Sequence, residues 1–159
     1  MTIPLPDHPH ELRLERTFDL PRAVLWRCWT EPELLMQWFC PVPWRVTEAR
    51  MDLRPGGEFF TLMEGPNGER FGEPGVFLAV EPGRRLMFTD AFRPGWLPSS
   101  RAFMVGDVLF EDDGPGRTRY LARALHWSAE AKQEHEAMGF HEGWGKAADQ
   151  LEALARRLG

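Results

Sequence analysis

The stretch VLWRCWTEPELLMQWFCP, residues 24–41, concentrates aromatic side chains in a short length of chain. It holds three of the seven tryptophans, both cysteines and one phenylalanine. Such a stretch can be core, a membrane anchor, a partner-binding face or the wall of a pocket. Acidic residues and prolines interrupt it and no basic face accompanies it, which argues against a membrane anchor. The flanking sequence has to decide among the rest.

Residues 21–43 predict two short helices. Pro21 suits a first helical turn, because its missing N–H would have no partner there. The first helix carries one broad apolar stripe, made of Val24, Leu25, Cys28 and Trp29. Thr30 and Glu33 have the spacing of a capping box, which would start the second helix. The apolar residues of the second helix are Leu34, Leu35, Trp38 and Phe39. The prolines that follow, from Pro41 on, end it.

Length and composition indicate one globular domain, residues 1–159, and limit its partners. The chain has 27% charged and 43% hydrophobic residues, close to the globular average. A net charge of −5 without a basic cluster argues against a nucleic-acid partner. The sequence starts without the pattern of a signal peptide, and no apolar run reaches the roughly 18 residues of a membrane span. We therefore expect a cytoplasmic protein.

The remainder of the first 127 residues predicts a strand before the helices and six after them. Residues 11–18 alternate between apolar and polar positions, as a half-buried strand does. Further strand-like segments, separated by Gly- and Pro-containing turns, lie at 44–53, 57–64, 69–80, 84–92, 102–112 and 118–127. Pro74 predicts an edge position or a bulge in its strand. Residues 92–101 are predicted to be the one longer loop.

The C-terminal segment predicts one long amphipathic helix from Ser128 to Leu158. It contains no proline, and its apolar residues recur at helical spacing, at Met138, Trp144, Ala148, Leu151, Ala155 and Leu158. Glycines at 139, 143 and 145 interrupt it, each costing about 1 kcal/mol relative to alanine. Either they leave room for a pocket between helix and sheet, or they let the helix approach a strand closely.

This order of elements predicts an α+β fold. A seven-stranded curved antiparallel sheet would wrap around the long C-terminal helix, with two short helices between the first two strands. At about 1.5 Å per residue, only the C-terminal helix is long enough to lie across the concave face. Such a sheet cannot close fully around one helix, so a cavity is expected in the gap.

Four motifs resemble those of one protein family, in the same order along the chain. They are FDLPRAVLWRCWTEPELLMQWFCP (18–41), MDLRPGGEF (51–59), VEPGRRLMFT (80–89) and MGFHEGWGKAADQL (138–151). From about Leu14 to Leu158 the chain resembles the heat-shock-protein-90 ATPase activator homologues of the START-like (SRPBCC) superfamily. The resemblance implies the helix-grip fold, in which the two short helices close one end of the sheet.

The resemblance implies less about function, because one fold serves many. Superfamily members bind lipids, sterols, polyketides or plant hormones, others cyclise polyketides, and some are domains of co-chaperones. The eukaryotic activators carry a separate N-terminal chaperone-binding domain, for which these 159 residues leave no room.

The wall of the expected cavity should be mostly apolar with a few polar groups, as ligand pockets are. The candidate ligand-binding residues are Trp38, Phe39, Phe59, Thr61, Met63, Phe77, Phe88, Asp90, Phe103, His126, Phe140, His141 and Trp144. Most of the aromatic stretch is expected to be core; the alternative is that Trp38 and Phe39 line the mouth of the cavity. Strand parity stays open, so either ring of the pair Phe59 and Phe60 could face inward.

Metal and catalytic motifs fit the sequence poorly. His126, His135 and His141 are the candidate metal ligands, but the last two lie about 600° of helix rotation apart and face different ways. No nucleophile elbow, phosphate loop or dinucleotide fingerprint appears. Cys28 and Cys40 stand in apolar surroundings, which raise the pKa of a thiol. We therefore predict no metal, no cofactor and no catalytic residue with an assigned role.

Two functions remain open, and a third rests on the family name. The first, which we favour, is non-enzymatic binding of a small apolar or amphipathic molecule in the cavity. The second is a polyketide cyclase- or hydrolase-type enzyme that uses Asp90 and His126 for general acid–base chemistry. The third is a chaperone-associated stress protein. A chaperone contact and a homodimer are left open as further partners.

Overall fold

The computed structural model describes residues 8–159; residues 1–7, which the single-domain prediction includes, lie outside the described residues. The strands and helices follow one another as β1 (Glu11–Phe18), α1 (Arg22–Thr30), α2 (Pro32–Leu35), β2 (Arg45–Met51), β3 (Glu58–Glu64), β4 (Arg70–Phe71), β5 (Gly75–Glu81), β6 (Arg85–Thr89), β7 (Phe92–Arg93), β8 (Leu97–Pro98), β9 (Val105–Asp112), β10 (Thr118–Leu125), α3 (Ala129–Ala137) and α4 (Phe140–Leu158). The class is α+β, as predicted.

Seven strands form one curved antiparallel sheet in the order β1-β10-β9-β6-β5-β3-β2. β1 and β10 pair over their full length, from Glu11 opposite Leu125 to Phe18 opposite Thr118. The first and last strands of the chain are therefore neighbours, and β1 forms one edge of the sheet while β2 forms the other. The predicted seven-stranded sheet, with two short helices between its first two strands, is confirmed.

The predicted strand that contains Pro74 is interrupted. Its two pieces, β4 and β5, pair with β3 in one continuous register, with Met63 opposite Phe71 and Phe59 opposite Gly75. The residues between the two pieces leave the ladder, since Pro74 has no N–H to donate to it. The expected edge or bulge is thus a gap in one strand, which lies inside the sheet.

The C-terminal segment contains two helices, so the prediction of one continuous helix is wrong. α3 begins after Ser128, whose Oγ accepts a hydrogen bond from the N–H of Ala131 at 3.1 Å. Gly139 separates α3 from α4 and has φ = 95°, a left-handed conformation that glycine adopts without steric cost. The turn at Gly139 therefore redirects the chain before the helix that crosses the sheet.

Two shorter predictions also need correction. The capping box is wrong: Oγ1 of Thr30 donates back to the carbonyl of Trp26 at 2.7 Å, and the N-cap of α2 is Glu31, without a side-chain cap. Pro32 starts α2 directly after α1, which keeps Thr30 in the earlier helix. The predicted loop 92–101 contains the short β7–β8 hairpin.

The second half of α4 packs into the core of the protein. Leu151 and Ala155 are fully buried, and Leu154 is nearly so. They belong to the same cluster of buried side chains as Phe18 and Leu25, which come from β1 and α1. Of the apolar residues predicted to recur along this segment, Ala148, Leu151 and Ala155 are buried and Trp144 is half-buried, whereas Met138 and Leu158 are exposed. Within residues 8–159, no helix combines the length and the apolar character that a membrane crossing requires.

Replacing Leu151 with alanine tests this packing. We expect Leu151→Ala to lower the free energy of unfolding by about 2–5 kcal/mol, because the side chain is 0% exposed and its loss leaves a cavity. Arg157→Ala, at an exposed position of the same helix, should change it by less than about 0.5 kcal/mol. Urea unfolding followed by tryptophan fluorescence measures both. Equal effects would contradict the assigned helix face.

Candidate functional site

A cavity of about 450 Å³ lies between the inner face of the sheet and the first half of α4. Ten of the predicted wall residues line it: Trp38, Phe39, Phe59, Thr61, Met63, Phe88, Asp90, Phe103, Phe140 and Trp144. On α4, the lining residues all fall between Phe140 and Ala148. Pockets that hold small molecules measure roughly 300–1,000 Å³, so the volume suits such an occupant.

The aromatic stretch is both core and cavity wall. The rings of Trp29 and Trp38 meet edge to face, with centroids 4.9 Å apart, and Phe39 lies 5.5 Å from Trp29. Nε1 of Trp38 donates to the carbonyl of Cys28 at 2.9 Å, and Nε1 of Trp29 donates to the hydroxyl of Tyr120 at 3.1 Å. Trp38 is only 3% exposed, so it belongs to the inner wall and not to the predicted mouth.

The structure resolves which ring of the adjacent phenylalanines on β3 faces inward. Phe59 is 8% exposed and lines the cavity, with its centroid 4.9 Å from that of Phe88. The ring of Phe60 lies under the guanidinium of Arg50, whose Cζ is 4.2 Å from the ring centroid. Phe77 stacks on Phe59 at 5.0 Å and is 1% exposed. It is a core residue behind the wall and does not line the cavity, contrary to the prediction.

Two predicted histidines also lie outside the cavity wall. His141 is exposed on α4, where its Nε2 bonds to the carboxylate of Glu136 at 2.9 Å. His126 is buried directly after the end of β10 and does not line the cavity. Its Nε2 lies 2.9 Å from Nδ1 of His135, and His135 itself lines the cavity. The histidine in the wall is therefore His135.

Several residues line the cavity although they were not predicted from the sequence as wall residues. They are Leu14, Trp29, Cys40, Pro41, Glu73, Gly75, Thr89, Met104, Tyr120, His135, Met138, Ala147 and Ala148. Some of them could have been found from the sequence and others could not. Leu14 lies two residues after buried Leu12, on the same face of β1, so strand parity signals it. His135 has no such signal, because it is the one buried residue of the otherwise polar α3. Tyr120 accepts from a tryptophan, which leaves its own O–H free to donate.

The hydrogen bonds of the histidine pair determine its tautomers. Nδ1 of His126 lies 3.0 Å from the carbonyl oxygen of Phe103. A carbonyl can only accept, so this nitrogen carries the proton, and in the neutral ring Nε2 of His126 accepts. Nδ1 of His135 is then the donor to it. Nε2 of His135 consequently carries a lone pair and no proton.

Burial keeps both rings of this pair neutral at pH 7. Burial, with a smaller contribution from the neighbouring His126, lowers the pKa of His135 from 6.5 to about 4. Burial is also the main reason that the pKa of His126 is lowered, against the opposing effect of the Phe103 carbonyl. An imidazole with this pKa is a weak base, and its lone pair serves better as a hydrogen-bond acceptor.

Asp90 supports the wall and does not form a hydrogen-bonded pair with His126. Its two carboxylate oxygens accept from the N–H of Phe103 at 2.9 and 3.0 Å, and Oδ1 also accepts from the N–H of Met104 at 3.2 Å. Both ring nitrogens of His126 are bonded to other groups. The geometry thus joins His126 to His135, and Asp90 holds the end of the loop that leads into β9.

The charged residues that line the cavity are acidic. Glu73 and Asp90 are lining residues, and in the part of the chain that the structure describes no lysine or arginine lines it. The side chain of Glu73 is 66% exposed, and Met138 is 73% exposed. The cavity therefore reaches solvent beside these two residues, where β4 gives way to β5 and α3 to α4.

The loop between α2 and β2 is held to α4 by two side chains, Gln150 and Lys146. Nε2 of Gln150 donates to the carbonyls of Trp38 and Cys40 at 3.0 and 2.9 Å, and its Oε1 accepts from the N–H of Val42 at 3.1 Å. Lys146, one turn earlier, donates to the carbonyl of Val42 at 2.8 Å. These bonds hold the end of the aromatic stretch over the cavity.

The glycines of α4 have different surroundings. Gly143 lines the cavity, and a Cβ there would lie in open space, with no neighbouring atom within 4 Å. A Cβ on Gly145 would lie 3.4 Å from the guanidinium of Arg16 on β1, which donates to the Gly145 carbonyl at 3.1 Å. The pocket explanation thus suits Gly143, and close approach to a strand suits Gly145.

The two cysteine thiols are poor nucleophiles, and the described residues form no metal-ligand cluster. Burial raises the pKa of Cys28 and of Cys40 to about 11, so both thiols are protonated and weakly nucleophilic at pH 7. Over residues 8–159, no three His, Cys, Asp or Glu side chains come together in a group that could hold a metal ion.

Comparisons with known proteins agree on the fold. The family model described as Activator of Hsp90 ATPase homolog 1-like protein matches residues 19–156. The crystal structure of protein NE0264 from Nitrosomonas europaea is 42% identical, with a TM-score of 0.90 over 95% of this chain and 97% of that one. Protein Ms6760 from Mycobacterium smegmatis is 28% identical, with a TM-score of 0.75 over 95% and 96%. No curated protein matches the chain.

Acid should destabilise the protein through His135. Its pKa is lower in the folded than in the unfolded state, so its contribution to stability is complete above pH 6.5 and is lost as the pH falls towards 4. Between pH 7 and 4.5, we expect the wild type to lose about 2 kcal/mol more of its unfolding free energy than His135→Phe does.

Urea unfolding at the two pH values, followed by fluorescence, measures this difference. His141→Gln, at an exposed histidine, is the control and should keep the pH dependence of the wild type. If His135→Phe and the wild type lose the same free energy, the lowered pKa of His135 is contradicted.

Proposed function

Because the chain belongs to the Activator of Hsp90 ATPase homolog 1-like family, we propose that it binds a small apolar or amphipathic molecule in the cavity between the sheet and α4. The observation that carries the proposal is the cavity itself, with about 450 Å³ enclosed by aromatic side chains and a few polar groups. Binding sites for small molecules have this composition, in which apolar surface supplies affinity and scattered polar atoms supply orientation.

Gly143 supports the same proposal. In a helix interior glycine costs about 1 kcal/mol relative to alanine, and nothing near this residue requires its small size for packing. An empty space beside a helical glycine is explained if that space belongs to the ligand. The bulk of any side chain would then reduce the room available for binding.

An enzymatic function is the second candidate, and His135 is the observation that favours it. An unprotonated nitrogen in the wall of an apolar cavity is a starting point for proton transfer. The low pKa of His135 argues for hydrogen bonding over general base catalysis, however, because a base works best with a pKa near the operating pH. A chaperone contact, a homodimer and a cytoplasmic location stay predictions from the sequence.

Binding of an uncharged fluorescent dye tests the proposal. N-phenyl-1-naphthylamine should bind the native protein with a micromolar Kd, about −8 kcal/mol. Gly143→Leu should weaken the binding at least tenfold, because the leucine side chain would occupy the cavity. Gly143→Ala is the matched control. It should raise stability by up to about 1 kcal/mol and change the Kd much less than leucine does.

Dye fluorescence titrations give the three dissociation constants, and far-UV circular dichroism verifies that each variant is folded. Absence of dye binding by the native wild type would overturn the proposed function. Unchanged binding by a folded Gly143→Leu protein would show that the dye occupies another place, and would overturn the assignment of this cavity.

A further inference from the structure

The polar groups of the cavity differ in whether the protein already satisfies them. Oγ1 of Thr89 donates to the carbonyl of Met104 at 2.9 Å and accepts from the N–H of Ala91 at 3.1 Å. The carboxylate of Asp90 accepts from two backbone N–H groups. His135 and Tyr120 are different, because among the described residues each has one side-chain hydrogen bond: the Tyr120 hydroxyl accepts from Trp29 and keeps a donor, whereas His135 is bonded through Nδ1 and keeps an acceptor at Nε2.

The free nitrogen of His135 belongs to the cavity wall. The ring is 7% exposed and packs edge to face on the aromatic rings of Phe103, at 4.8 Å, and Phe140, at 5.2 Å. Nδ1 points to His126, behind the wall. The ring edge opposite Nδ1 carries Nε2, which has no hydrogen-bond partner among the described residues and is not sealed from water, so its lone pair is open to the cavity that the ring lines. A ligand that enters the cavity displaces water from this nitrogen, so a ligand that supplies a donor in its place binds more tightly than one that does not.

Charge narrows the chemistry of that ligand. The carboxylates of Glu73 and Asp90 line the cavity, and no cationic side chain of the described residues does. Glu73 is exposed and paired with Arg93 at 3.8 Å, but the Asp90 carboxylate and the acceptor nitrogen of His135 would both repel the oxygen atoms of an anionic ligand, which would also lose its hydration. An ammonium group would also lose its hydration, beside a neutral imidazole and an Asp90 carboxylate already filled by backbone N–H groups.

We propose that the cavity accepts an uncharged apolar molecule with a hydroxyl group, an alcohol or a phenol, whose O–H donates to Nε2 of His135. This inference rests on the proposed function and adds the chemical class of the ligand. His126 is a positioning residue: its bond to the Phe103 carbonyl fixes its own tautomer, which in turn makes His135 a donor at Nδ1 and an acceptor at Nε2.

A matched series of naphthalene compounds tests the chemical class. 2-Naphthalenemethanol, its methyl ether, 2-naphthoate and 2-naphthalenemethylamine share one apolar ring system and differ in the polar group. Their dissociation constants are measured at pH 7.5 by displacement of the dye from the wild-type protein. We expect the alcohol to bind at least fivefold more tightly than the ether, and at least tenfold more tightly than the carboxylate and the amine.

Two variants separate a hydrogen bond from a merely structural role of His135. His135→Phe keeps an aromatic ring but no acceptor, so the preference for alcohol over ether should disappear while ether binding stays within about twofold. His135→Gln keeps an amide donor for His126 and a carbonyl acceptor for the ligand, so it should retain part of the preference. Circular dichroism and binding of the ether verify that both variants are folded.

The outcomes distinguish this inference from the proposed function. Equal binding of alcohol and ether by the wild type would overturn the inference and leave the cavity as a binding site. Tighter binding of the carboxylate or the amine than of the alcohol would overturn it in the same way. A preference that persists in His135→Phe would show that another group accepts the hydroxyl. If neither the dye nor any of the four compounds binds, both the inference and the proposed function are wrong.

Discussion

Packing of the second half of α4 against the sheet and α1 is the contact on which the rest of the structure depends. Leu151, Leu154 and Ala155 are buried there in one cluster with side chains from β1 and α1. The first half of the same helix, from Phe140 to Ala148, borders the cavity. One continuous helix therefore closes the core at one end and leaves a space at the other, and the hydrogen bonds of the helix keep the two ends in fixed relation.

Gln150 links α4 to the end of the aromatic stretch. It is next to Leu151 in the sequence of α4. Its side-chain amide is hydrogen-bonded to the backbone of Trp38, Cys40 and Val42, which all belong to the segment between α2 and β2. Three backbone groups that would otherwise lack a protein partner are satisfied by one side chain. The aromatic wall formed by the end of the stretch at residues 24–41 thus depends on the position of α4.

Local sequence patterns predicted most helices and strands, but they did not predict side-chain contacts between different elements. The alternation of β1 and the apolar stripe of α1 identified the buried side chains, because each reflects a single element facing a single core. The break at Gly139 was missed, since a glycine within a helical pattern does not reveal its φ angle. His135 was considered only as a metal ligand, because its partner His126 lies on another element and their contact exists only in the folded chain.

The separation of core and cavity along α4 has an evolutionary consequence. Substitutions near Gly143 or Trp144 alter the space available to a guest molecule, while the hydrophobic contacts of Leu151 and Ala155 continue to hold the scaffold. Selection can then act on one half of a helix for recognition and on the other half for folding, with little conflict between the two. Descendants of such a chain can exchange one guest for another by a few changes at the walls and keep an unaltered frame.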